Sequence, residues 1–224
     1  MNNGEFSIKS YVLRSGRTSR AQKRALDVLS GIYCLPFEEK ILDFNAVFGN
    51  GNPITIEIGF GMGGALTEIA ASHPDKNYIG IEVFRAGVGR ALMNIENMRL
   101  ANVRVIAHDA AAVLEKMIPD DSIEGFHIFF PDPWQKKRHK KRRLVKYPFT
   151  DTLASKLKPG GYVYMVSDCE DYCSFALLEF GKTQLLRNPY AGFAPSQEWR
   201  PVTKFEKRAA SRGGVIKELF FVKA

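Results

Sequence analysis

From residue 53 onward, short runs of consecutive apolar, often β-branched residues alternate with longer segments whose apolar positions recur every three or four residues. The runs are PITIEIGFG, NYIGIEV, VRVIAHD, SIEGFHIFF, GYVYMVSD and VIKELFFVKA, and each reads as a strand. Between them GGALTEIAASHP, FRAGVGRALMNIENMRL, AAAVLEKMI, VKYPFTDTLASKLKPGG and EDYCSFALLEFGKT have the helical period. Strands that are apolar throughout, rather than on alternate residues, must be covered on both faces. Regular alternation with helices therefore predicts an α/β fold built on a mostly parallel sheet with helices on either side. Ligands of such sheets sit beyond the carboxyl ends of the strands.

Composition adds a boundary and a patch. The chain has 224 residues, 45% of them hydrophobic and 12% aromatic, which suits one packed domain. Residues 1–24 are polar and basic and read as a mobile N-terminal arm, leaving 25–224 as the single folded domain. The net charge of +8 is local: Lys136, Lys137, Arg138, Lys140, Lys141, Arg142, Arg143 and Lys146 form a block with no acid among them, and the remainder of the chain balances. A crowded block of this kind needs a polyanion, and a nucleic acid backbone is the natural one. Cys34, Cys169 and Cys173 cannot all pair, which points to a reducing, cytoplasmic setting. No apolar run is long enough to span a bilayer, so no membrane partner is expected. The four histidines form no ligand-like pair, and no metal is expected either.

The strand ends carry the chemistry. In order they deliver Glu57 with Gly59, Gly61, Gly63 and Gly64, then Glu82, Asp109, Asp132 and Asp168. Any one of these acids could simply cap a helix. Five on one rim predict a site. Gly59, Gly61 and Gly64 satisfy the dinucleotide fingerprint, and Glu82 lies where a ribose-binding acid belongs, so spacing alone does not choose the ligand. Charge separates the candidates: a pyrophosphate would be repelled by Glu57 and its neighbours, whereas S-adenosylmethionine brings an ammonium and a sulfonium and no phosphate.

The fourth strand runs into FFPDPWQKKRHKKRR, where Asp132 is pinned between two prolines with Trp134 beside it and the basic block follows. IEIGFGMG, GIEV, HDA, FFPDPWQKKRHKKRR, SD and PVTKFEKR, in this order and spacing, resemble the bacterial tRNA (guanine-N7-)-methyltransferases from about Tyr11 to the end of the chain. That resemblance implies a class I, Rossmann-like methyltransferase fold with a seven-stranded, mostly parallel sheet. It also implies methyl transfer from S-adenosylmethionine to N7 of a guanine in the variable loop of tRNA.

Position by position, the resemblance gives Glu57, Gly59, Gly61, Gly63, Glu82, Asp109 and Asp132 to the donor, with Asp132 also the catalytic acid. It gives Lys136, Asp168, Thr203, Lys204, Phe205 and Glu206 to the substrate, and Arg138, His139, Lys140, Lys141, Arg142 and Arg143 to the RNA. Cys169 stands where relatives commonly carry a bulky aromatic residue. Asp168 and Glu206 are the acids that could accept from the guanine N1–H and amino group. Two other readings stay in view: an RNA-binding protein with an inactive donor site, and a nicotinamide-dependent oxidoreductase. Monomer and homodimer are both compatible with the pattern.

Overall fold

The computed structural model describes residues 9–12 and 17–224. Seven strands form one sheet in the order β3-β2-β1-β4-β5-β7-β6. They are β1 Ile54–Ile58, β2 Asn77–Ile81, β3 Val103–Ile106, β4 Ile123–Phe129, β5 Leu157–Ser167, β6 Leu186–Arg187 and β7 Lys217–Lys223. The first five are mutually parallel, and β7 lies antiparallel between β5 and β6. All five residues of β1 and of β2 are buried, which is why their sequences show no polar alternation.

Among the described residues eight α-helices accompany the sheet: α1 Arg20–Tyr33, α2 Phe44–Phe48, α3 Gly64–Ser72, α4 Arg85–Asn97, α5 Ala110–Lys116, α6 Phe149–Lys156, α7 Glu170–Phe180 and α8 Lys204–Ala210. Two apolar clusters sandwich the strands. One gathers α5, α6 and α7 residues such as Leu114, Leu153 and Ala176 around Ile56 and Met165; the other gathers α1, α3 and α4 residues such as Ala25, Leu66 and Leu92 around Tyr78 and Val105. Over β4, β5 and β7 the second face is covered by a loop instead of a helix pair. There Trp199 stacks on His127 at 4.9 Å and meets Tyr164 edge-on at 5.4 Å.

The expected elements are present with shifted ends. Residues 20–24, assigned to the arm, belong to α1, because Ser19 and Gln22 close a capping box: Ser19 N–H donates to Gln22 Oε1 at 2.8 Å and Gln22 N–H to Ser19 Oγ at 3.2 Å. Residues 1–8 and 13–16 of that arm, including Arg14, lie outside the described residues. The helix read over VKYPFTDTLASKLKPGG is confined to α6, since Pro148 forces its start and β5 already begins at Leu157. The KPGG segment is absorbed by a register shift between β4 and β5. Helices α1, α2 and α8 and the two-residue β6 were not foreseen.

Candidate active site

The strand order reverses between β1 and β4, and the rim acids follow the carboxyl ends of the strands on either side of that switch point. Register fixes their heights: Glu57 pairs with His127 and Gly80, Ile81 with Ile106, and Phe129 with Val166. Glu82 thus leaves the sheet one residue beyond β2, while Asp132 and Asp168 follow β4 and β5 by three residues and one residue.

Gly59, Gly61 and Gly63 all adopt positive φ, 73°, 58° and 75°, so the loop after β1 turns three times by a route that L-residues take only rarely. Helix α4 packs directly on this loop. A Cβ at Gly87 would come within 2.1 Å of the Gly61 carbonyl, so the close approach needs a glycine on the helix as well. Glu82 ties the two together: its Oε2 accepts from Gly61 N–H at 2.9 Å, and its Oε1 from Val83 and Phe84 N–H at 2.7 and 2.9 Å. Asp109 caps α5 by accepting from Ala112 N–H at 3.1 Å, so the plain capping reading is realised for this acid. Beside it the His108 ring stacks on Phe37 at 3.7 Å.

Glu57 is the unusual member. It is 3% exposed, and its Oε2 is buried without a hydrogen-bond partner among the described residues. Burial, reinforced by the nearby Glu82 carboxylate, pushes its carboxyl up to about 8. An orphaned acid at the foot of a glycine loop fits a ligand that brings a cation and rejects one that brings a pyrophosphate.

The FFPDPW turn is shaped by two left-handed residues, Phe130 with φ 51° and Trp134 with φ 46°. Phe130 directly follows β4, and Asp132 is exposed at the rim. The Trp134 indole is bracketed by Arg142, 5.2 Å from the ring centroid, and by the edge-on His139 ring, and its N–H donates to the Ser10 carbonyl at 3.0 Å. A short stretch of the N-terminal region thus reaches the mouth of the site.

Downstream, Lys137–Arg142 forms a 3-10 helix. Lys136, Lys137, Arg138 and Lys141 are exposed there. Lys140 is half engaged, donating to Asp171 Oδ1 at 2.7 Å.

Arg143 has to be removed from the RNA-facing set. Its side chain is wholly buried: it donates to the Pro133 carbonyl at 3.0 Å, pairs with Asp171 Oδ2, and lies over the rings of Tyr172 and Phe175. Charge alone could not distinguish it from its neighbours. Lys140 and Arg143 together hold the Asp171 carboxyl below the usual range, and the pair anchors the block to the first turn of α7.

The TKFE motif opens α8. Thr203 Oγ1 accepts from Glu206 N–H at 3.2 Å, and Phe205 stacks on Phe130 with centroids 5.7 Å apart, so this turn lies beside the FFPDPW turn. The Glu206 carboxylate is turned inward onto Arg200, which donates to its two oxygens at 2.5 and 3.1 Å. Arg200, Tyr164 and Glu218 were not foreseen. Of these only Glu218, an acid inside the apolar run VIKELFFVKA, left a trace in the sequence. Asp168 is exposed where β5 ends, and Cys169, half-buried, donates its N–H to Ser167 Oγ at 3.2 Å. Among the described residues no group of three or more histidine, cysteine, aspartate or glutamate side chains could hold a metal.

The sheet order with an antiparallel seventh strand, and a glycine loop joined to an acid after β2, define a Rossmann-like methyltransferase of class I. The model of the family "Putative methyltransferase" matches residues 51–219. The chain belongs to this family, and within it to the tRNA (guanine-N(7)-)-methyltransferases. Relatives of that name from Francisella philomiragia and Nitrosomonas eutropha are each 46% identical over 217 residues, covering 96% and 97% of this chain and 95% and 97% of their own. One from Thiobacillus denitrificans is 47% identical over 214 residues, covering 96% of this chain and 94% of its own. Among solved structures the fold is shared with the 16S rRNA methyltransferase KamB, with a TM-score of 0.59 at 12% identity over 83% of this chain and 95% of that one. It is also shared with the antibiotic-resistance methyltransferase Kmr, with a TM-score of 0.55 at 15% identity over 81% of this chain and 91% of that one.

Proposed function

We propose that this chain transfers a methyl group from S-adenosylmethionine to N7 of a guanine in tRNA, in the cytoplasm. The observation that carries the reading is the pairing of two halves at one switch point. A cation-seeking acid and glycine loop follow β1, and an exposed acid with a basic helix follows β4. The matching family model and the relatives named above are methyltransferases, which favours this reading over a nicotinamide-dependent enzyme or an RNA binder with an inactive donor site.

When bound, S-adenosylmethionine supplies an activated methyl on its sulfonium; the N7 lone pair forms the new C–N bond as the C–S bond breaks, leaving a thioether and a cationic guanine ring. Glu57 would meet the donor ammonium, Glu82 the ribose hydroxyls, and Asp109 the adenine end, with Gly59, Gly61 and Gly63 lining the floor. No base is needed, because N7 carries no proton. Catalysis then rests on placement, worth on the order of 7–11 kcal/mol in well-oriented reactions. Asp132 faces the developing ring cation and stabilises it. Lys136, Arg138, His139, Lys141 and Arg142 follow the backbone, and Lys204 and Phe205 flank the entering base. Drawing the base from its tertiary contacts costs a few kcal/mol, which the phosphate contacts offset.

The experiment is methyl transfer from labelled S-adenosylmethionine to unmodified tRNA, with nucleoside chromatography of the digest. Label in 7-methylguanosine is expected; label elsewhere, or none, overturns the reading. Asp132→Asn should lower kcat about 100-fold while leaving tRNA affinity unchanged.

A further inference from the structure

Asp132 stands between Pro131 and Pro133, and neither proline has an N–H with which to hold the turn. Arg143 reaches in from ten residues downstream, its Nε donating to the Pro133 carbonyl at 3.0 Å. That carbonyl is a short lever on the acid. Between it and the Asp132 Cα lie a planar peptide and a φ fixed by the pyrrolidine ring, and a residue that precedes proline is confined to extended ψ. With the carbonyl held, the Asp132 backbone has little freedom, and its carboxylate swings only about its own side-chain bonds.

Arg143 is itself immobilised. Its side chain is 0% exposed, whereas Lys136, Lys137, Arg138 and Lys141 of the same block face solvent. Nη1 donates to the Asp171 carbonyl at 3.3 Å and Nη2 to Asp171 Oδ2, and the guanidinium lies 4.8 and 5.0 Å from the ring centroids of Tyr172 and Phe175. The buried Tyr172 closes the arrangement, because its Oη accepts from Val145 N–H at 3.1 Å, two residues beyond Arg143. All three partners belong to α7, whose inner residues Tyr172, Ala176 and Phe180 are part of the apolar core. The turn after β4 is thereby tied to a helix that cannot shift without opening that core.

The residue type follows from this geometry. A guanidinium aims Nε at one partner and its two Nη atoms at another while its plane rests on aromatic rings; an ammonium is a point charge and does neither. Burying the guanidinium carries a desolvation cost that its bonds offset only in part, so the placement it imposes accounts for it better than stability does.

We propose that Arg143 is the positioning residue of the catalytic acid: anchored on α7, it fixes the Pro133 carbonyl and so sets where Asp132 meets the ring cation, without touching RNA. This rests on the tRNA guanine-N7 reading above and deepens it.

The test is a double-mutant cycle with Asp132→Asn, read as methyl transfer by the full chain to unmodified tRNA. Arg143→Met should lower kcat by about 10- to 100-fold, the scale of a 1 Å misplacement. KM for tRNA, the affinity for S-adenosylhomocysteine and the salt dependence of tRNA binding should stay as in wild type. In the Asp132→Asn background the same change should lower kcat less than about threefold further, because the group that Arg143 places has been altered. Arg143→Lys, which keeps a charge beside Asp171 but not the fork, should behave like Arg143→Met in both backgrounds.

An equal loss of kcat in the two backgrounds would mean a general structural role and overturn the proposal, as would wild-type kcat in Arg143→Met or Arg143→Lys. A salt slope lowered by about 0.7–0.9, the mark of a lost phosphate contact, would overturn it too. If Arg143→Met does not fold, Arg143→Lys carries the same cycle. Failure of the wild-type protein to form 7-methylguanosine would instead sink the underlying reading.

Discussion

With Glu57 facing the donor ammonium, as proposed above, donor binding would be a proton-linked event whose size can be worked out beforehand. In the ligand-free protein its carboxyl is pushed up to about 8 by burial and by Glu82, so near neutrality it is mostly protonated. The ion pair with the donor ammonium needs the carboxylate, so binding must expel that proton. The pair also needs the ligand's α-amino group charged, as it is near neutrality beside the ligand's own carboxylate. At pH 7, binding should therefore release ~0.9 proton, the one held by Glu57. Affinity should rise close to tenfold from pH 6 to pH 7 and begin to level off above pH 8. Calorimetry of S-adenosylhomocysteine binding in two buffers of different ionisation enthalpy gives the proton count directly, with no turnover to confuse it. A count near zero at pH 7, or affinity flat from pH 6 to pH 8, would refute the assignment.

The same acid should act on stability in the opposite sense. Its folded value is raised above the ordinary 4.5, so ionisation costs the fold progressively from pH 4.5 to about 8; Glu57→Gln should melt higher than wild type at pH 9, by on the order of 3 kcal/mol, and no higher at pH 4. Burial pushes the His127 ring down to about 3, so stability should fall by about 1.4 kcal/mol per pH unit below 6.5, and proton NMR should find this ring untitrated between pH 5 and 8. Replacing Lys137, Arg138 and Lys141 with glutamine should flatten the salt dependence of tRNA binding by about 0.7–0.9 in log–log slope per lost phosphate contact. Arg143→Gln should leave the slope unchanged and lower stability by about 1–3 kcal/mol, because it removes a buried guanidinium that donates to the Pro133 carbonyl; the salt titration and a denaturant melt separate the two.

The donor half was legible because its parts are local. A run of β-branched residues, a glycine turn and an acid at the strand's end are neighbours in the chain, so Glu57, the glycine loop and Glu82 could be placed before any contact was known. Other signals were present and overlooked: the Ser19 to Gln22 capping box announces α1, and Thr203 to Glu206 has the spacing of another helix start. What remained hidden depends on contacts between residues far apart in sequence. Nothing local says that Arg143 turns inward while Arg142 lies over an indole, or that Glu206 faces Arg200 instead of solvent.

The late strand β7, inserted between β5 and β6, sets an order of assembly. Strands β1 to β4, with Glu57, Glu82 and Asp109 at the ends of the first three, can pair with one another as they emerge from the ribosome, since β3-β2-β1-β4 is a contiguous run of the sheet. The mouth that admits the base cannot. Until Lys217–Lys223 is synthesised, β5 has an unpaired edge and Arg200 lacks Glu218, so the set of contacts that holds α8 over Phe130 is incomplete. A nascent chain can thus acquire the cradle for its methyl donor well before it can admit an acceptor, and the strand that completes the sheet also licenses the chemistry.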